Sequence, residues 1–133
     1  MILFTIKGDP KALKRHRTFR RGKLTGQYDP SQGDKADFLS IAHKYAPDKP
    51  IDVPIHLRAT FIFQRPKNHY RANGQVKSQF GSQHIGRPDV DNLIKFVCDS
   101  LNGVFWRDDS LIFWVNAQKK YGDAPLTEIE ISY

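Results

Sequence analysis

The sequence predicts an α/β (α+β) fold: a small mixed β-sheet of about four strands with helices packed on it. Three observations point there. Ile55, Leu57, Ala59, Phe61 and Phe63 recur at period two within residues 53–63, as in a strand with one buried face. Leu93, Ile94, Phe96, Val97 and Leu101 form one side of a helix running from about Pro88–Asp91 to Leu101, while Asp91, Lys95 and Asp99 fall at i, i+4 and i+8 on another. Residues 110–121 and 126–133 are strand-like, and Gly122-Asp123-Ala124-Pro125 between them reads as a hairpin turn.

The remaining elements follow from local signals. Residues 2–7 are rich in Ile, Phe and Thr and read as a first strand. Residues 8–33 carry Gly, Pro and many cations with little hydrophobic period, which implies a long loop or loose hairpin. Ser31 or Asp34 caps a short helix through about Tyr45, with Phe38, Leu39, Ile41, Ala42 and Tyr45 on one face, and Pro47 and Pro50 end it. Pro54 belongs near the start of the next strand or on an edge. Residues 64–88 are polar and basic, a second long loop, and Asn102-Gly103 stops the later helix. No repeat or linker divides the chain, so residues 1–133 are expected to form one domain.

Composition removes several classes. Apolar runs are only a few residues long, so no membrane partner is expected. The start, Met1 to Lys7, lacks the basic and long apolar regions of a secretory leader. One cysteine, Cys98, rules out an intrachain disulfide or a multi-cysteine zinc site and suggests a reducing, cytoplasmic location.

The 21 Lys and Arg outnumber the 14 Asp and Glu, a net charge of +7 that favours a polyanionic partner. The charge is segregated. Lys11, Lys14, Arg15, Arg17, Arg20, Arg21 and Lys23 lie in an acid-free stretch, and so do Arg58, Arg65, Lys67, Arg71, Lys77 and Arg87. Phe19, Tyr28, His69, Tyr70 and Phe80 lie among these cations as stacking or wedge groups. The plain reading is solvated loop surface; the functional one is a phosphate-binding rim with Lys14, Arg15, Arg17, Arg20, Arg21, Lys23, Lys67, Arg71, Lys77 and Arg87 as DNA-binding residues. Residues 89–109 invert the balance, with Asp89, Asp91, Asp99, Asp108 and Asp109 against Lys95 and Arg107. Acids among phosphate-binding cations repel the ligand unless a cation lies between them, and Mg²⁺ fills that role through oxygen ligands.

Each part of this constellation has a structural alternative. Asp89 or Asp91 serves equally as a helix N-cap. Asp91 and Lys95 are spaced for an ordinary i,i+4 ion pair. Adjacent Asp108 and Asp109 are unfavourable unless exposed or shared with a cation.

The run Arg87-Pro88-Asp89-Val90-Asp91-Asn92-Leu93-Ile94-Lys95, followed by Asp99-Ser100-Leu101-Asn102-Gly103 and Trp106-Arg107-Asp108-Asp109-Ser110, resembles the RusA family of Holliday junction resolvases. Weaker similarity covers most of the chain, and the long basic loops resemble the phage-type branch. The resemblance implies a RusA-like fold, a homodimer, Mg²⁺ or Mn²⁺ dependence, and cleavage of four-way DNA junctions. By the family pattern Asp89, Asp91 and Asp109 match metal-binding catalytic carboxylates and Lys95 the catalytic lysine, while Asp99 and Asp108 match acidic positions without an assigned role. The expected activity is paired phosphodiester hydrolysis of branched DNA. The rivals are a flap or fork nuclease and a non-catalytic basic DNA-binding protein whose acids are helix caps.

Overall fold

The computed structural model describes residues 1–133. The elements run β1 (Ile2–Lys7), β2 (Arg17–Arg21), β3 (Leu24–Tyr28), α1 (Gln32–Ala42), β4 (Ile55–Gln64), α2 (Val90–Leu101), β5 (Ile112–Gly122) and β6 (Leu126–Ser132), with 3-10 turns at His43–Tyr45, Lys67–His69 and Asp109–Leu111. Four strands make one mixed sheet in the order β1-β6-β4-β5, and β2 and β3 form a separate hairpin. The first basic stretch therefore contains a short two-stranded sheet.

The alternation in β4 decides the centre of the sheet. Ile55, Leu57, Ala59 and Phe61 are buried on one face, so β4 sits between two neighbours. It pairs antiparallel with β6 and parallel with β5. The expected hairpin at Gly122–Pro125 is thus corrected: β5 and β6 flank β4 and do not pair with each other. The reason lies in burial. Phe113, Trp114 and Val115 leave β5 exposed, which suits an edge, whereas Ile129 and Ile131 of β6 are buried and need a strand on each side. The connection passes over the end of β4 at Gly122, where a Cβ would lie 2.5 Å from Ile62 Cγ2.

Both helices cover the buried face. Leu93, Phe96, Val97 and Leu101 of α2 join the core, and Phe96 meets Phe38 of α1 edge to face at 5.6 Å. α1 is weaker than its predicted face: Phe38 and Ala42 are buried, but Ile41 is half exposed. Tyr45 lies beyond the α-helix in the 3-10 turn, where its ring stacks on Phe4 at 5.1 Å. After α2, Gly103 takes φ +80° and turns the chain. The turn sends Phe105 and Trp106 into the core, both fully buried. There Ile51 N–H donates to Phe105 O (2.9 Å) and Arg107 N–H to Ile51 O (3.0 Å).

The crossing at Gly122 is testable. Gly122→Ala forces the Ile62 methyl aside and lowers stability by about 1–3 kcal/mol. Adding Ile62→Ala should remove most of that further loss, so the coupling in a double-mutant cycle of denaturant midpoints checks the contact. Additive losses would count against it.

Candidate active site and nucleic-acid interface

The helix α2 brings three of the predicted residues together. Asp89 is its N-cap, in extended conformation, and Asp91 lies in its first turn. Their side chains share a cleft of about 410 Å³ with Lys95, Asn92, Leu13, Lys14 and Arg15. The burial of Leu93, Phe96 and Val97 fixes the rotation of the helix, so the polar stripe faces out by necessity.

Neither structural alternative engages these two carboxylates. Asp89 occupies the cap position, yet its carboxylate makes no capping hydrogen bond. Asp91 and Lys95 form no ion pair; the salt bridges are Lys35–Asp29, Lys35–Asp99, Arg58–Glu130 and Arg107–Asp52. Both carboxylates keep their oxygen atoms unengaged beside a cleft.

Neighbouring segments flank the head of α2 on two sides. Leu13 N–H donates to Asn92 O (3.0 Å) and Lys14 N–H to the buried Ser31 hydroxyl (2.8 Å), which lays residues 13–15 along α2. Arg15 and Arg87 also border a second depression against Pro88, Asp89 and Asn92. On the other side, Lys119 Nζ donates to Gly86 O (2.6 Å) and Pro88 O (2.8 Å). The Arg87–Pro88 peptide bond is cis.

The remaining acids stand farther along the helix. Asp91 and Asp99 are two turns apart, roughly 12 Å along the axis. Asp109 belongs to the 3-10 turn before β5, where Trp106 Nε1–H donates to its Oδ1 at 2.7 Å. Burial pushes the Asp109 carboxyl above the usual carboxylate range; the indole N–H pulls it back, and Asp99 and Asp108 push it up. Burial, then the charges of Asp109 and Asp99, push the Cys98 thiol up to about 12. Asp109 therefore lies electrostatically beside Cys98 and Asp99, and it does not line the cleft of Asp89 and Asp91. Asp108 accepts from Ser110 N–H (2.9 Å), and that hydrogen bond holds its carboxyl low.

No three His, Cys, Asp or Glu side chains converge into a ready-made metal cage. The Asp89 and Asp91 pair nonetheless suits a hydrated Mg²⁺ or Mn²⁺. Mg²⁺ commonly takes one or two carboxylates and fills its other positions with water and phosphate. The pair supplies hard oxygen donors, open to solvent and to a phosphate in the same cleft.

None of the predicted DNA-binding cations has an acidic partner. Lys14, Arg15 and Arg87 rim the clefts. Arg17, Arg20 and Arg21 are exposed along β2, with Lys23 at the hairpin turn. Lys67, Arg71 and Lys77 ride the second loop. That loop is ordered by stacking: His69 lies on Phe80 at 3.7 Å, His84 on Phe63 at 4.0 Å, and the Arg65 guanidinium over Tyr121 at 4.8 Å. His69 and Phe80, expected as stacking or wedge groups, stack on each other and support the loop from within. Phe19 covers Gly26 across the hairpin, where a Cβ would lie 2.7 Å from its ring. Tyr28 remains exposed.

Local sequence assigns no role to Asn92, Leu13 or Lys119, and Ser31, expected as a candidate cap, sits at the N-cap position of α1 with no side-chain capping bond and accepts from Lys14 instead. Asn92 stood inside the recognised motif. The others act through hydrogen bonds between residues far apart in the chain, for which local sequence carries no signal.

Comparison with known proteins agrees with this geometry. Residues 7–132 match the family model described as Endodeoxyribonuclease RusA. The chain is 30% identical to the uncharacterized protein YqaN of Bacillus subtilis (strain 168), over 98% of this chain and 94% of that one. It is also 30% identical to the crossover junction endodeoxyribonuclease rusA of Lactococcus phage r1t, over 61% of this chain and 56% of the relative. With a match that runs from the end of β1 through β6 and takes in the whole α2 cleft, the chain belongs to the RusA endodeoxyribonuclease family.

Proposed function

We propose that this protein is a metal-dependent, structure-selective endodeoxyribonuclease that resolves four-way DNA junctions by paired phosphodiester hydrolysis. The observation that carries the reading is the cleft at the start of α2. Asp89 and Asp91 are free of caps and ion pairs there, beside Lys95 and under the unpaired cations Lys14, Arg15 and Arg87. The similarity to a phage crossover junction endodeoxyribonuclease supports the choice of a branched DNA substrate.

The residues divide the work by charge. Lys14, Arg15 and Arg87 receive phosphates flanking the scissile bond and hold the backbone without reading base sequence. Arg17, Arg20, Arg21, Lys23, Lys67, Arg71 and Lys77 extend that hold along the arms. Asp89 and Asp91 would hold Mg²⁺ or Mn²⁺; Asp109, the third carboxylate of the family pattern, lies outside their cleft with Oδ1 engaged by Trp106 and is not assigned to the ion there. When bound, the ion supplies Lewis acidity at the phosphate and lowers the pKa of water. Lys95 directs its ammonium at the phosphate oxygens, where negative charge grows in the transition state. A homodimer suits the two-fold symmetry of a junction, since two copies present two equivalent sites.

Asp91→Asn should lower the single-turnover cleavage rate of a synthetic four-way junction by at least about 100-fold, the loss of several kcal/mol of charge stabilisation. Junction affinity should stay the same or rise. Near wild-type turnover at saturating Mg²⁺ would remove Asp91 from the site. Unpaired nicks, with a preference for flaps or forks, would point to the sister activity; binding without divalent-dependent turnover would leave a DNA-binding module.

The basic loop gives a second test. Junction affinity should fall with salt at a slope of about −0.9 per neutralised phosphate. Replacing Arg15, Arg17, Arg20 and Arg21 with Ala should flatten the slope by about 0.9 for each cation that meets a phosphate, with little dependence on sequence. An unchanged slope in the quadruple variant would make the loop ordinary solvated surface.

A further inference from the structure

The segment that delivers Asp89 to the cleft is tied to the protein at one point. Residues 82–84 lie antiparallel to the outer edge of β5: Tyr121 N–H donates to Ser82 O (2.8 Å) and His84 N–H to Lys119 O (3.3 Å). Beyond His84 this pairing ends. No backbone hydrogen bond involves Ile85, Gly86, Arg87 or Pro88, and Ile85 is almost wholly exposed. The first backbone bond after them is Leu93 N–H to Asp89 O, the opening bond of α2. Between the two anchors, the only hydrogen bonds are those from Lys119 Nζ to Gly86 O and Pro88 O.

The geometry points to Lys119 as a positioning residue for the Asp89 and Arg87 side chains, and this inference rests on the cleavage site proposed above. The two carbonyls it holds bracket Arg87. The Pro88 carbonyl belongs to the peptide plane that leads directly into Asp89. Fixing that plane restricts the backbone from which the Asp89 side chain projects. Lys119 is suited to the task because an ammonium makes charge-assisted hydrogen bonds in several directions at once. It has no acidic partner, so those donors are not drawn elsewhere. Its own backbone is held on both sides, by pairing with Phe61 of β4 and by the bond from His84. The rigid sheet thereby transmits its position to a segment that otherwise hangs free. Lys119 does not line the cleft and touches no reacting group there; it acts through Asp89 and Arg87.

Lys119→Met keeps the aliphatic stem and removes the donors. Three measurements on the full chain test the role: single-turnover cleavage of a four-way junction, junction affinity in EDTA, and Mn²⁺ binding by calorimetry without DNA. Supporting groups of this kind typically change metal affinity or activity by about 10–100-fold. The Met variant should lose about that factor in rate and bind Mn²⁺ more weakly, with a smaller loss of junction affinity, because Arg87 is one of several cations that meet phosphates. Lys119→Arg, which restores donors, should recover most of both losses. Lys119→Gln, with a shorter polar chain, should resemble Met and stands in for it if Met does not fold. Wild-type rate and Mn²⁺ affinity in the Met or Gln variant would overturn the proposal, as would equal loss in the Arg variant with an unchanged melting temperature. Asp91→Asn run alongside separates the two readings. If it is inactive while Lys119→Met is normal, only the positioning role fails; if it cleaves normally, the site and the positioning role fall together.

Discussion

The burial of one side of α2 against the sheet is the constraint on which the rest depends. Leu93, Phe96, Val97 and Leu101 have essentially no exposed surface, and burying such side chains is worth roughly 1.5–3 kcal/mol apiece. A rotation of the helix would lose several of those contacts at once. The helix therefore has one orientation, and its remaining positions inherit theirs. Asp91 and Lys95 face the cleft because Leu93 and Phe96 cannot. The hydrophobic effect is non-directional, yet through helical spacing it aims two charged side chains.

The charges follow a complementary logic. The four salt bridges join elements of the scaffold: Arg107–Asp52 beside the Ile51–Phe105 contact, Lys35 between Asp29 and Asp99, and Arg58–Glu130 across adjacent strands. The cations of the two loops and the carboxylates at the head of α2 take no part in them. Exposed ion pairs add little to stability, about 0–1 kcal/mol each, so leaving these groups single costs the fold little. It also leaves a surface whose charges are satisfied only by something from outside. Under the proposed activity, phosphates and a divalent cation would together satisfy both signs.

Much of this was legible in the sequence, and the failures have a common cause. The alternation in β4, the apolar side of α2 and the acid-x-acid-Asn-Leu pattern at Asp89–Leu93 are local, and local periodicity reports burial directly. Strand neighbours are a different matter. Gly122-Asp123-Ala124-Pro125 has the composition of a hairpin turn, but the competition for the centre of the sheet is won by β4, far away in the chain. The same holds for His69 and Phe80, whose rings find each other across the loop. It holds for Asp109, whose adjacency to Asp108 said nothing of the Trp106 indole that engages it. The basic run on and before β2 was visible as charge and as a long loop or loose hairpin, while the bounds and register of that hairpin were not, because β2 and β3 bury no regular face.

The strand order also carries a kinetic consequence. β6, made last, lies between β1 and β4, both made long before it. Its pairing with β1 joins Ile2 to Ile131, nearly the whole length of the chain. Until β6 arrives, a gap separates β1 from β4, and the apolar side of β4 has no strand on that flank. The inner edges of β1 and β4 are thus completed only by a strand far from both in sequence. Loop closure over so long a separation is slow compared with helix formation. The sheet on which α2 packs thus depends on contacts of high sequence separation while the helix itself rests on local ones, so the charged head of α2 is aimed by the slower kind of contact.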